Sequence, residues 1–249
     1  MAKARSKISQ IIGRLVKGAV GILLIPPVLG MALGLYRPLK AIGAGEWSCA
    51  QWFFWGAASY VGFHLLLYKP RTLFGLNHAL LARLAVWLFG GQVSTVGGEG
   101  AEAAPAAPKP KGKGKGKGKD KDTKSGAGAS TLVVLSPYLV PLYVVLVCVL
   151  TWAATQWVSA SFLNAFVSLL IGVALCFHLV MTADELQQDR DRFPIEMYLI
   201  ALTISSLFSL MITGLCLPMA LPELSWSSLF GEAASSTGLI YAAIFRTLF

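Results

Sequence analysis

Ionisable and amide side chains are scarce in the apolar stretches of this 249-residue sequence, and their positions limit where chemistry can occur. Such groups are costly inside a bilayer and mark functional sites by default. The buried polar candidates outside the histidines are Asn77, Arg83, Asp184 and Glu185. The three histidines, His64, His78 and His178, lie on three different apolar segments, where each is expected to hydrogen-bond to a neighbouring helix.

The sequence that follows His78 is the part of the chain closest to a metal-binding motif. A helical zinc site of the metallopeptidase type needs two histidines at positions i and i+4 and a glutamate beside the first as general base. Here the text reads His-Ala-Leu-Leu-Ala, with Ala79 in place of the glutamate and Ala82 in place of the second histidine. One ligand cannot hold zinc alone, and no base remains to activate water. We therefore predict no catalytic residue and no metal on this helix.

Nevertheless, NHALLARLAVWLFGGQV resembles the HExxH helix of site-2-protease-like intramembrane zinc peptidases, in which a Gly-Gly pair follows the first histidine. His78 lies twelve residues before Gly90, which matches the family spacing. Further along, SPYLVPLY resembles the start of the next helix, and FHLVMTADELQQD resembles a downstream helix end. The resemblance covers residues 73–209, interrupted by a linker, and implies a degenerate, inactive relative, since Ala79 and Ala82 delete the base and one ligand.

The resemblance also implies an alternative. The third metal ligand of that family is an aspartate on a later helix, and Asp189 is the nearest candidate by position, with His178 nearby. The alternative function is an atypical intramembrane zinc metallopeptidase that uses His78, His178 and Asp189, with Glu185 as base. The preferred function is a non-catalytic pseudo-metallopeptidase without a cofactor, which acts as a scaffold or binding protein for another membrane protein.

The elements that must position these residues follow from composition. Hydrophobic residues make up 55% of the chain and charged residues 13%, whereas soluble domains carry about 25% charged residues. Several apolar runs are near 20 residues long, which is the length of a membrane-spanning helix. We predict an all-α, polytopic helical membrane protein with five or six membrane segments and one disordered basic loop. An ordinary soluble enzyme, a coiled coil and a disulfide-stapled domain are excluded.

The chain divides into four regions by composition. They are a basic amphipathic N-terminus (1–17), a first membrane part with three apolar segments (18–91), a disordered Ala/Pro/Lys-Gly linker (92–130) and a second membrane part (131–249). Pro26 and Pro27 break the first apolar segment, which leaves a kinked span, a re-entrant hairpin and a cleaved signal peptide as alternatives. Residues 224–249 form either a short span or an interfacial helix. No span shows a clear Gly-x-x-x-Gly dimer motif.

The net charge of +9 is concentrated near the N-terminus and in the linker. Because basic loops stay inside, we expect both to be cytoplasmic, in a bacterial inner membrane. An even number of crossings must separate them. Either the second and third apolar segments cross while the Pro-Pro segment re-enters, or the first two cross while residues 73–89 lie in the interface.

The expected partners are the lipid bilayer, another membrane protein and anionic lipid head groups. Alternating lysines of the linker are the predicted lipid tether: Lys111, Lys113, Lys115, Lys117 and Lys119. No specific nucleic acid is expected, because no folded basic face with interleaved aromatic residues accompanies the charge.

Overall fold

A computed structural model describes residues 2–44, 47–66, 72–73, 75–76, 79–81, 83, 138–157, 161–188 and 195–248. These residues form helices and one short β-hairpin, which confirms the all-α class. In chain order the elements are α1 (Ala2–Leu23), α2 (Ile25–Ala41), β1 (Gly43–Ala44), β2 (Trp47–Ser48), α3 (Cys49–Leu66), α4 (Leu142–Thr155), α5 (Ser161–Gln188), α6 (Ile195–Ala220) and α7 (Trp226–Leu248). The predicted linker, 92–130, lies outside the described residues.

Three described helical stretches are long and apolar enough to cross a membrane: Ile12–Ala41, Leu163–Gln187 and Met197–Ala220. Leu142–Thr155 is a shorter apolar helix. A helix in a bilayer satisfies its own backbone hydrogen bonds, so apolar helices of this length are compatible with an integral membrane protein. The predicted number of five or six membrane segments is not confirmed by this criterion.

The Pro26-Pro27 pair produces a kinked helix and not a hairpin. Both prolines lie in the first turn of α2, and they lack the N–H groups that would donate to the Ile22 and Leu23 carbonyls, so two hydrogen bonds are missing at the junction with α1. Leu24 keeps right-handed helical angles (φ −80°, ψ −12°), and its N–H donates to the Val20 carbonyl at 3.1 Å. The chain therefore continues from α1 into α2 without reversing.

Helices α2 and α7 run antiparallel over most of their length. The Tyr241 hydroxyl donates to the Leu23 carbonyl at 2.6 Å, and Arg37 forms an ion pair with Glu232 towards the other end of α2. Between these contacts, a Cβ added at Gly34 would come within 2.6 Å of the Ala233 Cβ. The two backbones can approach this closely only because glycine lies at the crossing.

Gly34 has a second glycine four residues before it on the same face of α2. A Cβ added at Gly30 would overlap the Thr237 hydroxyl of α7. The expectation that no span carries a clear Gly-x-x-x-Gly motif was therefore wrong, since Gly30 and Gly34 form one. The pair packs two helices of the same chain, with Ala233 and Thr237 as the small residues opposite.

Helices α3 and α5 run parallel and also cross through glycine. A Cβ at Gly56 would overlap the Leu169 carbonyl oxygen, and a Cβ at Gly172 would overlap the Phe53 carbonyl oxygen. One turn beyond Gly56, the rings of Tyr60 and Phe177 meet edge to face at 5.5 Å. The reciprocal glycines bring the two backbones into direct contact.

The two ends of the bundle are defined by the connections between helices. At the hairpin end, the Cys49 thiol approaches the Asn164 carbonyl at 3.9 Å, and the Asn164 amide donates to Glu223 at 3.4 Å. These residues begin α3, begin α5 and join α6 to α7. At the opposite end, which we call the linker end, Tyr138 lies against α5 and α6. Hence α2, α4 and α6 run towards the hairpin end, and α3, α5 and α7 run away from it.

The hydrophobic core combines both membrane parts of the chain. In the described residues, α2 packs most extensively on α7, and α3 packs most extensively on α5. Helix α6 lies among α1, α2, α4, α5 and α7. Fully buried core side chains come from five helices: Leu39, Val144, Ile171, Met181, Leu217 and Leu229. The two parts therefore form one packing unit.

Candidate functional site

The structure describes only some of the predicted site residues. Asn77, His78, Asp189 and the linker lysines lie outside the described residues, so the set His78, His178 and Asp189 is not placed. Arg83 is exposed, and Asp184 and Glu185 are half-buried near the end of α5. Within the described ranges, Arg83 forms no ion pair.

His178 is the predicted site residue that the structure places most clearly. Its side chain is 1% exposed in the interior at the linker end, on α5. The ring Nε2 lies 3.2 Å from the Tyr138 carbonyl oxygen. Because a carbonyl oxygen only accepts, Nε2 carries the proton and donates it. That nitrogen therefore holds a helix backbone and does not offer a lone pair to a metal.

The Tyr138 carbonyl is available because the chain is irregular at the start of α4. Pro141 has no N–H, and the Leu142 N–H donates to the Val140 carbonyl at 2.9 Å instead of bonding four residues back. Ser205 of α6, which is 2% exposed, also donates its hydroxyl to the Tyr138 oxygen. One backbone acceptor thus joins the entry to α4 with α5 and α6, and we call this arrangement the Tyr138 centre.

Several other buried polar groups in the interior are threonine hydroxyls that bond within their own helix. Thr151 donates to the Val147 carbonyl at 2.8 Å, and Thr213 donates to the Ser209 carbonyl at 2.7 Å. This back-bonding to position i−4 satisfies a hydroxyl without a partner helix. Three buried hydroxyls have no hydrogen-bond partner among the described residues: Ser168, Thr182 and Ser209.

Sequence reasoning missed the hydroxyl face of α6. Ser205, Ser209 and Thr213 are four residues apart and all nearly fully buried, so they line one side of the helix. The four-residue spacing of these hydroxyl residues is visible in the sequence, but the predicted site residues are all ionisable or amide side chains. Serine and threonine are inexpensive in a spanning helix, and therefore they do not stand out by residue type.

The described residues contain no group of three or more His, Cys, Asp or Glu side chains that could hold a metal ion. The four cysteines, Cys49, Cys148, Cys176 and Cys216, are all free thiols. The described site holds helices together through hydrogen bonds that His178 and Ser205 donate to one backbone oxygen.

Comparison with known proteins identifies no relative: no family model matches the sequence, and neither a curated protein nor a solved structure matches the chain. The resemblance to site-2-protease-like peptidases stays a prediction that rests on the residues around His78.

Proposed function

We propose that this chain is an integral membrane protein that works without catalysis, as a scaffold or binding protein for another membrane protein. The observation that supports this proposal best is the Tyr138 centre. The one histidine that is almost fully buried among the described residues, His178, is used to hold α5 against the start of α4. A polar residue in the interior thus has a packing role where an enzyme would place a reacting group.

The proposal includes the pseudo-metallopeptidase character, which comes from the resemblance and not from the described structure. Ala79 and Ala82 stand where an active relative would have its general base and second histidine. A chain of this kind would keep a helical scaffold while lacking the groups that activate water. Zinc binding by His78, His178 and Asp189 is the opposing hypothesis.

The proposed topology has six crossings, formed by the α1–α2 stretch and by α3 to α7, in a bacterial inner membrane. Alternating helix directions support it, because α3 ends and α4 begins at the same end of the bundle. Residues 67–141 connect these two helices, and we propose that the linker within this segment, residues 92–130, lies on that side of the membrane. Since the N-terminal and linker lysines are the main basic segments, we propose that the linker end faces the cytoplasm. Of the two arrangements considered, this is the one in which residues 73–89 lie in the interface.

The decisive experiment measures the zinc content of detergent-purified protein. Elemental analysis of wild type, His78→Ala and Asp189→Asn should find no stoichiometric zinc in any of them. About one zinc per chain that both substitutions remove would overturn the proposal and favour the peptidase. The matched control is His64→Ala, which removes a histidine from α3 and lies outside the proposed ligand set.

Partner binding is tested by photo-crosslinking in intact membranes. Leu239 and Phe245 lie on α7 with 62% and 64% exposure, and they are suitable positions for a photoreactive residue. The expected result is a cross-link from α7 to one partner protein, seen as a product of one defined mass. Products from lipid alone, at these positions and at exposed Leu150 of α4, would contradict a scaffold role.

A further inference from the structure

An open groove of about 550 Å³ lies at the hairpin end, between α2, the β-hairpin and the first three turns of α3. Its lining divides into two kinds of side chain. The polar ones are Lys40, Ser48 and Gln51, and the apolar ones include Tyr36, Phe54 and Ala58. None of these residues takes part in the Tyr138 centre, which lies at the other end of the bundle.

The polar end of the groove is held by a capping box at the start of α3. The Gln51 side-chain oxygen accepts from the Ser48 backbone N–H at 2.8 Å, and the Gln51 N–H reaches the Ser48 hydroxyl at 3.4 Å. Such reciprocal bonds satisfy the unpaired donors of a helix start. The strand pairing of Gly43 with Ser48 fixes the same segment against the end of α2. Hydrogen bonds to neighbouring residues therefore fix the positions of Ser48 and Gln51.

The groove becomes apolar away from the hairpin. Along α3, Gln51, Phe54 and Ala58 follow each other on one face and cover roughly 10 Å of helix. The lining residues of α2 also change from polar to apolar with distance from the hairpin, because apolar Tyr36 lies one turn farther from the hairpin than Lys40. The Tyr36 and Phe54 rings meet edge to face at 5.6 Å and close the groove between the two helices. An occupant must therefore be polar at one end and apolar at the other.

Aromatic residues place the hairpin end at the level of lipid head groups. Trp47 stacks on Trp55 with ring centroids 6.0 Å apart, and it contacts Trp52 at 5.2 Å. Clusters of tryptophan are typical of the membrane–water interface. Lys40 lies in the last turn of α2 and is exposed, and it has no ion-pair partner within the described ranges. The exposed ammonium of Lys40 at the level of the head groups attracts a lipid with a net negative charge, whichever leaflet supplies that lipid.

We propose that this groove binds one anionic phospholipid. The Lys40 ammonium holds the phosphate, Ser48 and Gln51 form the polar floor, and the acyl chain lies along Phe54 and Ala58. Charge complementarity selects the anionic head group, and the apolar half selects an amphiphile over free phosphate. The proposal rests on the proposed membrane placement but adds a specific lipid site to it.

The test is native mass spectrometry of protein taken from vesicles that contain phosphatidylglycerol and phosphatidylcholine in equal amounts. The wild type should retain one phosphatidylglycerol in preference to phosphatidylcholine. Lys40→Gln should reduce that preference about fivefold, which corresponds to losing one basic residue near the head group. Ala58→Trp should fill the apolar half and reduce retention of both lipids.

Lys17→Gln is the matched control, because Lys17 is an exposed basic residue on α1 outside the groove. An equal effect of Lys17→Gln and Lys40→Gln, or equal retention of the two lipids by wild type, would overturn the proposal. Displacement of the retained lipid by millimolar inorganic phosphate would assign the site to phosphate alone and overturn the lipid assignment.

Carbonate extraction of membranes, carried out first, tests the membrane placement separately from the lipid site. Release of the protein by carbonate would refute the membrane placement and therefore the proposed function. Retention in the membrane without lipid selectivity would refute only the lipid site.

Discussion

Substituting Gly56 by alanine tests the close crossing of α3 and α5. The added Cβ would overlap the Leu169 carbonyl oxygen, a backbone atom that cannot rotate away. The helices must separate instead, and a gap of 0.5–1 Å forfeits roughly a quarter to a half of each dispersion contact along the seam. Overpacking of this kind costs about 1–3 kcal/mol.

Gly62 provides the control on the same helix, because a Cβ there meets nothing within 4 Å. Both substitutions gain helix propensity of up to about 1 kcal/mol, so the difference between them isolates the steric effect. We expect Gly56→Ala to be about 1–3 kcal/mol less stable than Gly62→Ala, roughly a 5- to 150-fold change in the unfolding equilibrium.

The assay is reversible unfolding in mixed detergent micelles, followed by circular dichroism. Equal stability of Gly56→Ala and Gly62→Ala would refute the direct backbone contact. Gly172→Ala should resemble Gly56→Ala, since its Cβ would overlap the Phe53 carbonyl oxygen. Because the two glycines form one seam, the double substitution should cost less than the sum of the single ones.

Two further predictions concern polar contacts between helices. Arg37→Glu and Glu232→Arg should each lower stability by no more than about 1 kcal/mol, because the ion pair is partly exposed. The double exchange should restore stability, because it recreates an ion pair with the charges reversed. Thermal unfolding measures both effects, and no recovery in the double variant would argue against the pairing. Ser205→Ala should destabilise by about 0.6–1.7 kcal/mol, since it removes a donor to the Tyr138 carbonyl. A cycle with His178→Ala should then show coupling, and strict additivity would mean that the two side chains do not share that acceptor.

The helical membrane class was predictable because it depends on a property that sequence displays directly. Long apolar runs with few charges are compatible with helices that satisfy their own backbone in lipid, and Met197–Ala220 illustrates this. The break at Pro26-Pro27 was predictable for the same reason, since proline removes a donor wherever it occurs. Whether the break bends or reverses the chain depends on packing, and the sequence left both outcomes open.

The partners of each helix could not be predicted from hydropathy. The sequence is compatible with either a short span or an interfacial helix over residues 224–249, because small and polar residues lower the apolarity of this segment. Ala233 and Thr237 are among those residues, and they are the ones that allow α2 to approach. The same residues that weaken the signal of a span thus form its closest contact.

The Tyr138 centre was beyond sequence reasoning for a different reason. Its acceptor is a backbone carbonyl, which every residue carries, so no residue type marks it. Pro141 was a visible clue to irregular backbone, but the donors come from residues 40 and 67 positions later. The sequence marks His178 as a polar residue in an apolar segment, but it does not indicate that the Tyr138 carbonyl is the acceptor.

The pairing of α2 with α7 has a consequence for synthesis on the ribosome. Helix α7 begins roughly 185 residues after α2 ends, which at about 5–20 residues per second is a delay of roughly 10–40 s. During that interval the face of Gly30 and Gly34 lacks the helix that later covers it. Helix α3 likewise precedes α5, and much of its delay is the time taken to translate residues 92–130. The length of the lysine-rich segment therefore sets part of the interval between the synthesis of α3 and the synthesis of the helix on which it packs.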